Sequence, residues 1–193
     1  MGSAKHVVEA ERSPSALADR MNASRRSFLL AGACASSVLG LKVARAQEGV
    51  WREYRRDDVG FRIEMPGEPK IRVEKGDPQD PWTTSTDAQV RYQHELFDVS
   101  WTEFKDIVST EEEYTRFRDM MTGAGYRIDD EMQLTLNDVP AREFIIETGD
   151  INFVRRILAV RNLAIAIHAM GGRNIHNSLT VRRFLDSFRL LRP

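Results

Sequence analysis

Leu163-Ala164-Ile165-Ala166-Ile167-His168-Ala169-Met170 is the stretch on which the fold turns. It is apolar at odd and even positions alike, with Arg161-Asn162 before it and Gly171-Gly172 after it. A short run apolar on both faces and bounded by turn residues reads as a strand covered on both sides, hence the centre of a sheet. Working back from it, Gly149-Asp150 sets off a strand from Ile151 to Val160, and Asn137-Asp138 sets off another from Val139 to Ile146. Before those, Met132, Leu134 and Leu136 alternate, the signature of a half-buried strand. Working forward, Val181, Phe184, Leu185 and Phe188 recur at i, i+3, i+4 and i+7, so a closing helix beginning near Asn177 or Ser178 lays one apolar stripe on the sheet. Arg182, Arg183 and Arg189 are expected to face solvent.

The earlier half follows the same grammar. Val50 to Arg55 reads as a short strand and Asp57-Asp58 as a turn. Val59, Phe61, Ile63 and Met65 share one face of the next strand, which Pro66-Gly67-Glu68-Pro69 stops. Ile71 and Val73 mark another, followed by the polar loop Gly76 to Pro81. Between Thr83 and Lys105, Val90, Tyr92, His94 and Leu96 alternate, Asp98 interrupts, and Val99 and Trp101 resume, which predicts two antiparallel strands. Ser109-Thr110-Glu111-Glu112-Glu113 then announces a helix: Ser109 or Thr110 caps it, Glu112 or Glu113 reaches back, and three acids suit the positive end of its dipole. Tyr114, Phe117 and Met121 lie on one face of it, and Gly123 and Gly125 end it. Many antiparallel strands with one helix midway and one at the end predict an α+β domain: a mostly antiparallel sheet of six or seven strands with helices packed on it.

Residues 1–46 are different in kind. Arg25 and Arg26 precede an uncharged run from Phe28 to Leu41, and Val43-Ala44-Arg45-Ala46 follows. A basic head, an apolar middle and a small-x-small site form the plan of an export signal. Ser24-Arg25-Arg26-Ser27-Phe28-Leu29 resembles the twin-arginine type, which implies export through the twin-arginine translocase to the periplasm after folding. Cleavage is expected after Ala46, guided by Ala44 and Ala46, so that Gln47 opens the mature chain and no membrane span remains. The apolar run falls short of the ~20 residues a span needs. Lipid anchoring through Cys34 is the alternative reading, though Ala31-Gly32-Ala33 offers no large aliphatic residue ahead of it. Met21 is an alternative start that leaves a compact basic head.

Residues 47–193 form one expected domain. Residues 1–46 hold seven of the 28 basic and three of the 29 acidic side chains, which leaves the remainder with a net charge of −5. Its basic residues are scattered among acids, with no basic stripe for nucleic acid. The single cysteine, Cys34, lies in the signal, so the domain has neither disulfide nor thiolate chemistry.

Gly60-Phe61-Arg62-Ile63-Glu64-Met65-Pro66-Gly67-Glu68-Pro69, Val139-Pro140-Ala141-Arg142-Glu143-Phe144 and Arg183-Phe184-Leu185-Asp186-Ser187-Phe188 together resemble the opening, the middle strand and the closing helix of PsbP-like domains, relatives of the extrinsic photosystem II subunit. The resemblance implies an α/β/α sandwich and an accessory or binding role, and it carries over no ligand residues. In physical terms, Pro66-Gly67 breaks a strand, Val139-Pro140 enters an edge strand where a missing N–H is tolerated, and Phe184 and Phe188 anchor the last helix.

The motifs for chemistry are sparse. His94, His168 and His176 share no ligand spacing, and His168 in the most apolar strand reads as a hydrogen-bonded core histidine. Asp57-Asp58 and Asp129-Asp130-Glu131 read as solvated turn acids rather than an acid–base pair. Asp77, Asp80 and Asp87 lack calcium-loop spacing, Ser109 and Ser187 lack a nucleophile-elbow context, and Gly171-Gly172 lacks the phosphate-loop pattern. No cofactor is expected. Trp82, beside Pro81, is the candidate contact for a periplasmic protein partner. The expectation is an exported, non-catalytic binding or accessory protein. Alternatives are a small-ligand binder using a pocket between the sheet and the Ser109–Gly123 helix, and an enzyme whose site the sequence hides.

Overall fold

In the computed structural model, the described residues are 50–147 and 152–191. Seven strands form one antiparallel sheet: β3 (Lys70–Lys75), β4 (Trp82–Tyr92), β5 (Glu95–Phe104), β6 (Ile128–Leu136), β7 (Val139–Glu147), β8 (Asn152–Val160) and β9 (Leu163–Gly171). Their order is β3-β4-β5-β9-β8-β7-β6, so the doubly apolar strand stands fourth of seven, at the centre. A second, three-stranded sheet joins β1 (Arg52–Arg56), β2 (Phe61–Met65) and the two-residue β10 (Arg189–Leu190) in the order β1-β2-β10. The sequence pattern suggests a single sheet and gives no sign of β10. The small sheet stands apart because Phe61, Ile63 and Met65 point down into the core, and Phe61 meets Phe188 and Trp101 there.

Helix α1 (Thr110–Gly123) covers one face of the large sheet. Tyr114, Phe117 and Met121 pack with Phe144, Ile146, Ile157 and Ala166, the stripe predicted from spacing. Ser109 and Glu112 form the reciprocal capping box. Thr110 does another job: its hydroxyl donates to the Pro140 carbonyl and accepts from Ala159 N–H, pinning the helix start to the ends of β7 and β8. Gly125, at φ +84, turns the chain out of the helix in a conformation that L side chains rarely adopt.

Helix α2 (Leu179–Ser187), capped by Ser178, and the small sheet cover the opposite face. Val181, Phe184, Leu185 and Phe188 are fully buried against Val99, Trp101, Ile165 and Ile167. Each such side chain contributes roughly 1.5–3 kcal/mol through burial. The result is an α+β sandwich with the seven-stranded sheet in the middle. No helix among the described residues is long and apolar enough to cross a membrane.

Three local readings are corrected. Strand β7 is not an edge strand, because β6 flanks it. Pro140 is tolerated because the β8 ladder begins only at Ala141. Asp129, Asp130 and Glu131 lie in edge strand β6, not in a turn. The hairpin after β4 turns at Gln93-His94, with Gln93 at φ 54, and Asp98 sits in mid-strand. Alternation through Tyr92, His94 and Leu96 conceals that turn. The phase gives it away, since β4 buries even positions (Ala88, Val90) and β5 odd ones (Phe97, Val99, Trp101) on the same face.

Candidate functional site

The register of the large sheet lines up one transverse row. Gln89 of β4 opposes Asp98 of β5, Asp98 opposes His168 of β9, His168 opposes Arg155 of β8, and Arg155 opposes Phe144 of β7. Directly opposed residues of antiparallel strands share a face, and this is the α1 face, where Phe117 stacks on Phe144 at 4.7 Å. The sheet centre thus presents a carboxylate, an imidazole and a guanidinium side by side, beside the helix rather than under its middle.

The groups are close, with Asp98 buried and His168 and Arg155 half-buried at its side. Asp98 is 1% exposed. Its Oδ2 lies 3.1 Å from His168 Nδ1. The Arg155 guanidinium lies 4.5 Å from the Phe117 ring centroid, a cation–π seat that fixes it at the flank of α1. Yet neither Asp98 oxygen, nor His168 Nδ1, nor Arg155 Nε has a well-directed hydrogen bond among the described residues. Buried polar atoms are almost always paired, so four open atoms in one row single this place out.

Burial dominates the electrostatics. It pushes the Asp98 carboxyl up to about 7, helped by the nearby Asp87 charge and opposed by Arg155 and the Gln89 amide. It pulls His168 down to about 3, with the Arg155 charge acting in the same sense. Arg155 falls to about 10 through burial, offset by Asp98, Asp87 and Glu113. Burial also raises Asp87 and Glu113 against the attraction of their arginine neighbours. At neutral pH the site therefore holds a neutral imidazole, a charged guanidinium and a carboxyl poised between its two forms.

A second buried charge cluster lies on the other face. Glu143 Oε2 accepts from Arg156 Nε at 2.5 Å, and Oε1 accepts from an Arg182 NH at 2.9 Å. Arg156 also donates to the Leu185 carbonyl and to Asp186 Oδ1, both at 2.7 Å. Here every named oxygen is used, and the network ties α2 to β7 and β8. Arg183 faces solvent as expected and bridges to Glu64, whereas Arg182 is half-buried and reaches Glu143. Arg189 lies in β10 and donates to the Asp186 carbonyl.

Trp82 opens β4 and is half-buried. Gly76 passes so close that a Cβ there would meet the Trp82 carbonyl oxygen at 2.3 Å, so the loop can cross only as glycine. His94 is exposed at the β4–β5 turn, and His176 sits in a single 3₁₀ turn with its Nε2 against the Asn177 amide. Ser109 is a helix cap, and Ser187 accepts from Glu64 N–H and donates to the Phe184 carbonyl. Among the described residues no three His, Cys, Asp or Glu side chains are placed to hold a metal ion. Two open surface hollows, one beside Tyr126 and Asp130 and one beside Thr110 and Gln133, include none of the row. Arg25, Arg26, Phe28, Leu29, Cys34, Ala44, Ala46 and Gln47 lie outside the described residues. The sequence reads His168 as a hydrogen-bonded core histidine, whereas it is half-buried with Nδ1 lacking a well-directed partner; Asp98 and Arg155 are missed, and the change of phase between β4 and β5 is the available signal for Asp98.

No family model matches the chain, and no curated protein does. Among solved structures, the chain is similar to the solution structure of cyanobacterial PsbP (CyanoP) from Synechocystis sp. PCC 6803, with a TM-score of 0.49 and 12% identity, over 82% of this chain and 98% of that one.

Proposed function

We propose that this chain is an exported, non-catalytic binding or accessory protein, and that it contacts its ligand through the Asp98–His168–Arg155 row beside α1. The observation that carries the reading is the burial of Asp98 with neither oxygen in a well-directed hydrogen bond, next to an imidazole and a guanidinium that are themselves incompletely paired. Such a row, built on the rigid centre of a sheet, suits a small polar molecule that donates to Asp98 and accepts from Arg155. The Arg25-Arg26 signal, with its apolar run and Ala44-x-Ala46 site, supports delivery to the periplasm by the twin-arginine translocase.

Native mass spectrometry of the protein purified gently from a periplasmic extract tests the ligand. A small-molecule adduct is expected on the parent and absent from a folded Asp98→Asn variant. No adduct, or one that Asp98→Asn leaves undiminished, would sink the reading. A stoichiometric protein captured instead would move it to an accessory role, with Trp82 the first contact to replace. Export is tested separately: Arg25→Lys/Arg26→Lys is expected to hold the chain in the cytoplasm, and undisturbed fractionation to the periplasm would refute the twin-arginine assignment.

One observation favours chemistry over binding, namely a carboxyl at about 7 in contact with a neutral imidazole. Turnover of the recovered adduct by the parent and not by Asp98→Asn would establish it.

A further inference from the structure

The two edges of the large sheet are built differently. Edge β6 is guarded: its ladder carries an irregularity between Ile128 and Asp130, and Asp129, Asp130 and Glu131 follow one another along it. Bulges and runs of charge are how proteins prevent strand addition. Edge β3 pairs with β4 without a break from Lys70↔Gln89 to Lys75↔Thr84. It also exposes two β-branched side chains on one face, Ile71 at 48% and Val73 at 58%.

We propose that β3 adds to β3 of a second copy, antiparallel about a twofold axis through Arg72, so that the sheets of two copies become one. The sequence Lys70-Ile71-Arg72-Val73-Glu74 is complementary to itself in that register. Lys70 of each copy meets Glu74 of the other on the α1 face, and Ile71 of each meets Val73 of the other on the α2 face. Both kinds of cross-strand pair are favourable. Arg72 lies on the axis against its own copy, but Glu74 pairs with it within the strand and Asp87 opposes it from β4, so its charge is offset. Lysines at an edge ordinarily repel a neighbour; here Lys70 has an acid waiting for it across the axis. An isologous contact closes after two copies, whereas β3 against β6 of another copy would run on as an open ladder.

Two charge reversals test the register. Lys70→Glu sets two carboxylates against each other across the axis, and Glu74→Lys sets two ammonium groups against each other. Each side chain projects from an edge strand, and circular dichroism and melting serve to confirm that both variants stay folded. By sedimentation velocity the full parent chain is expected at twice the chain mass. Each variant alone should dissociate roughly tenfold more readily, since two pairs per dimer change sign. The two variants mixed in equal amounts should recover the dimer. In the mixed dimer the substituted Lys70 position faces the substituted Glu74 position, and the two unsubstituted residues face each other, so both pairs are opposite in charge; the loss in each variant alone reads the register, and the recovery shows that charge causes it. A parent that stays monomeric across the micromolar range would overturn the proposal, as would a mixture that fails to reassociate or a mass that climbs without limit as concentration rises.

Discussion

Arg155 and Arg156 are neighbours on β8, and the pleat sends them to opposite faces of the same sheet. Arg156 enters a closed network in which Glu143, Asp186 and the Leu185 carbonyl occupy its donors. Arg155 enters a row in which its Nε, both Asp98 oxygens and His168 Nδ1 stay open. One face uses its buried charge to fasten a helix; the other holds charge in place without consuming its hydrogen-bonding capacity. Burial marks both clusters, and only completeness of pairing separates the structural network from the candidate site.

The largest expected effect is on the closed face. Arg156→Leu leaves Glu143 buried with one partner instead of two, and should cost roughly 3–5 kcal/mol in urea unfolding. Glu143→Leu/Arg156→Leu removes both charges and should recover much of that loss, because an apolar pair needs no compensation. A loss under about 1 kcal/mol for Arg156→Leu would mean the network is ornamental, and the contrast between the faces would collapse. Phe188→Ala, which opens a cavity beneath the same helix, should cost a similar roughly 3–5 kcal/mol; a variant that melted like its parent would refute the anchoring role.

The open face should declare itself in pH dependence. In the native protein Asp98 keeps its proton up to about 7 and His168 stays neutral down to about 3. In the unfolded chain the carboxyl ionises near 3.8 and the imidazole charges near 6.5. Between those two values each state holds one proton on the pair, so the two contributions cancel and leave stability nearly flat. Asp98→Asn leaves His168 alone. The unfolded state then binds the extra proton, and stability should fall as pH drops from about 6.5 toward 3. His168→Gln leaves Asp98 alone. The native state then binds the extra proton, and stability should fall as pH rises from about 4 through 7. Unfolding free energies measured across that range check both slopes, and two variants that slope the same way would refute the coupling.

What the sequence disclosed and what it withheld follow from range. Leu163–Met170 declares its central place because apolarity on both faces is a local property, and so are the Tyr114, Phe117, Met121 stripe and the stripe from Val181 to Phe188. The charge clusters are hidden because their partners are distant. Arg156 meets residues 13 and 30 positions away, and Asp98 meets His168 across a strand pair that periodicity cannot assign. Nothing in the strand from Ile151 to Val160 marks Arg155 and Arg156 as inward-facing, since no spacing rule says that the next layer brings each an acid. Asp98 reads as a break between strands because acids usually sit in turns. The export reading is the reverse case, drawn wholly from local pattern and falling on residues outside the described ones.

The smallest effect concerns how firmly α1 sits beside the open row. Helix α2 has an ion network; α1 has its capping box, its stacked Phe117 and the Thr110 bridge to Pro140 and Ala159. Ser109→Ala removes the acceptor for Glu112 N–H and should cost about 1 kcal/mol. Because that loss falls on the helix start and not on the sheet, amide exchange should quicken in the first turn of α1 while β8 and β9 keep their protection. Uniform quickening through β9 would mean that α1 and the row unfold as one unit. The helix would then be a wall of the site rather than a neighbour to it, and the fixed seat of Arg155 on Phe117 would depend on the cap.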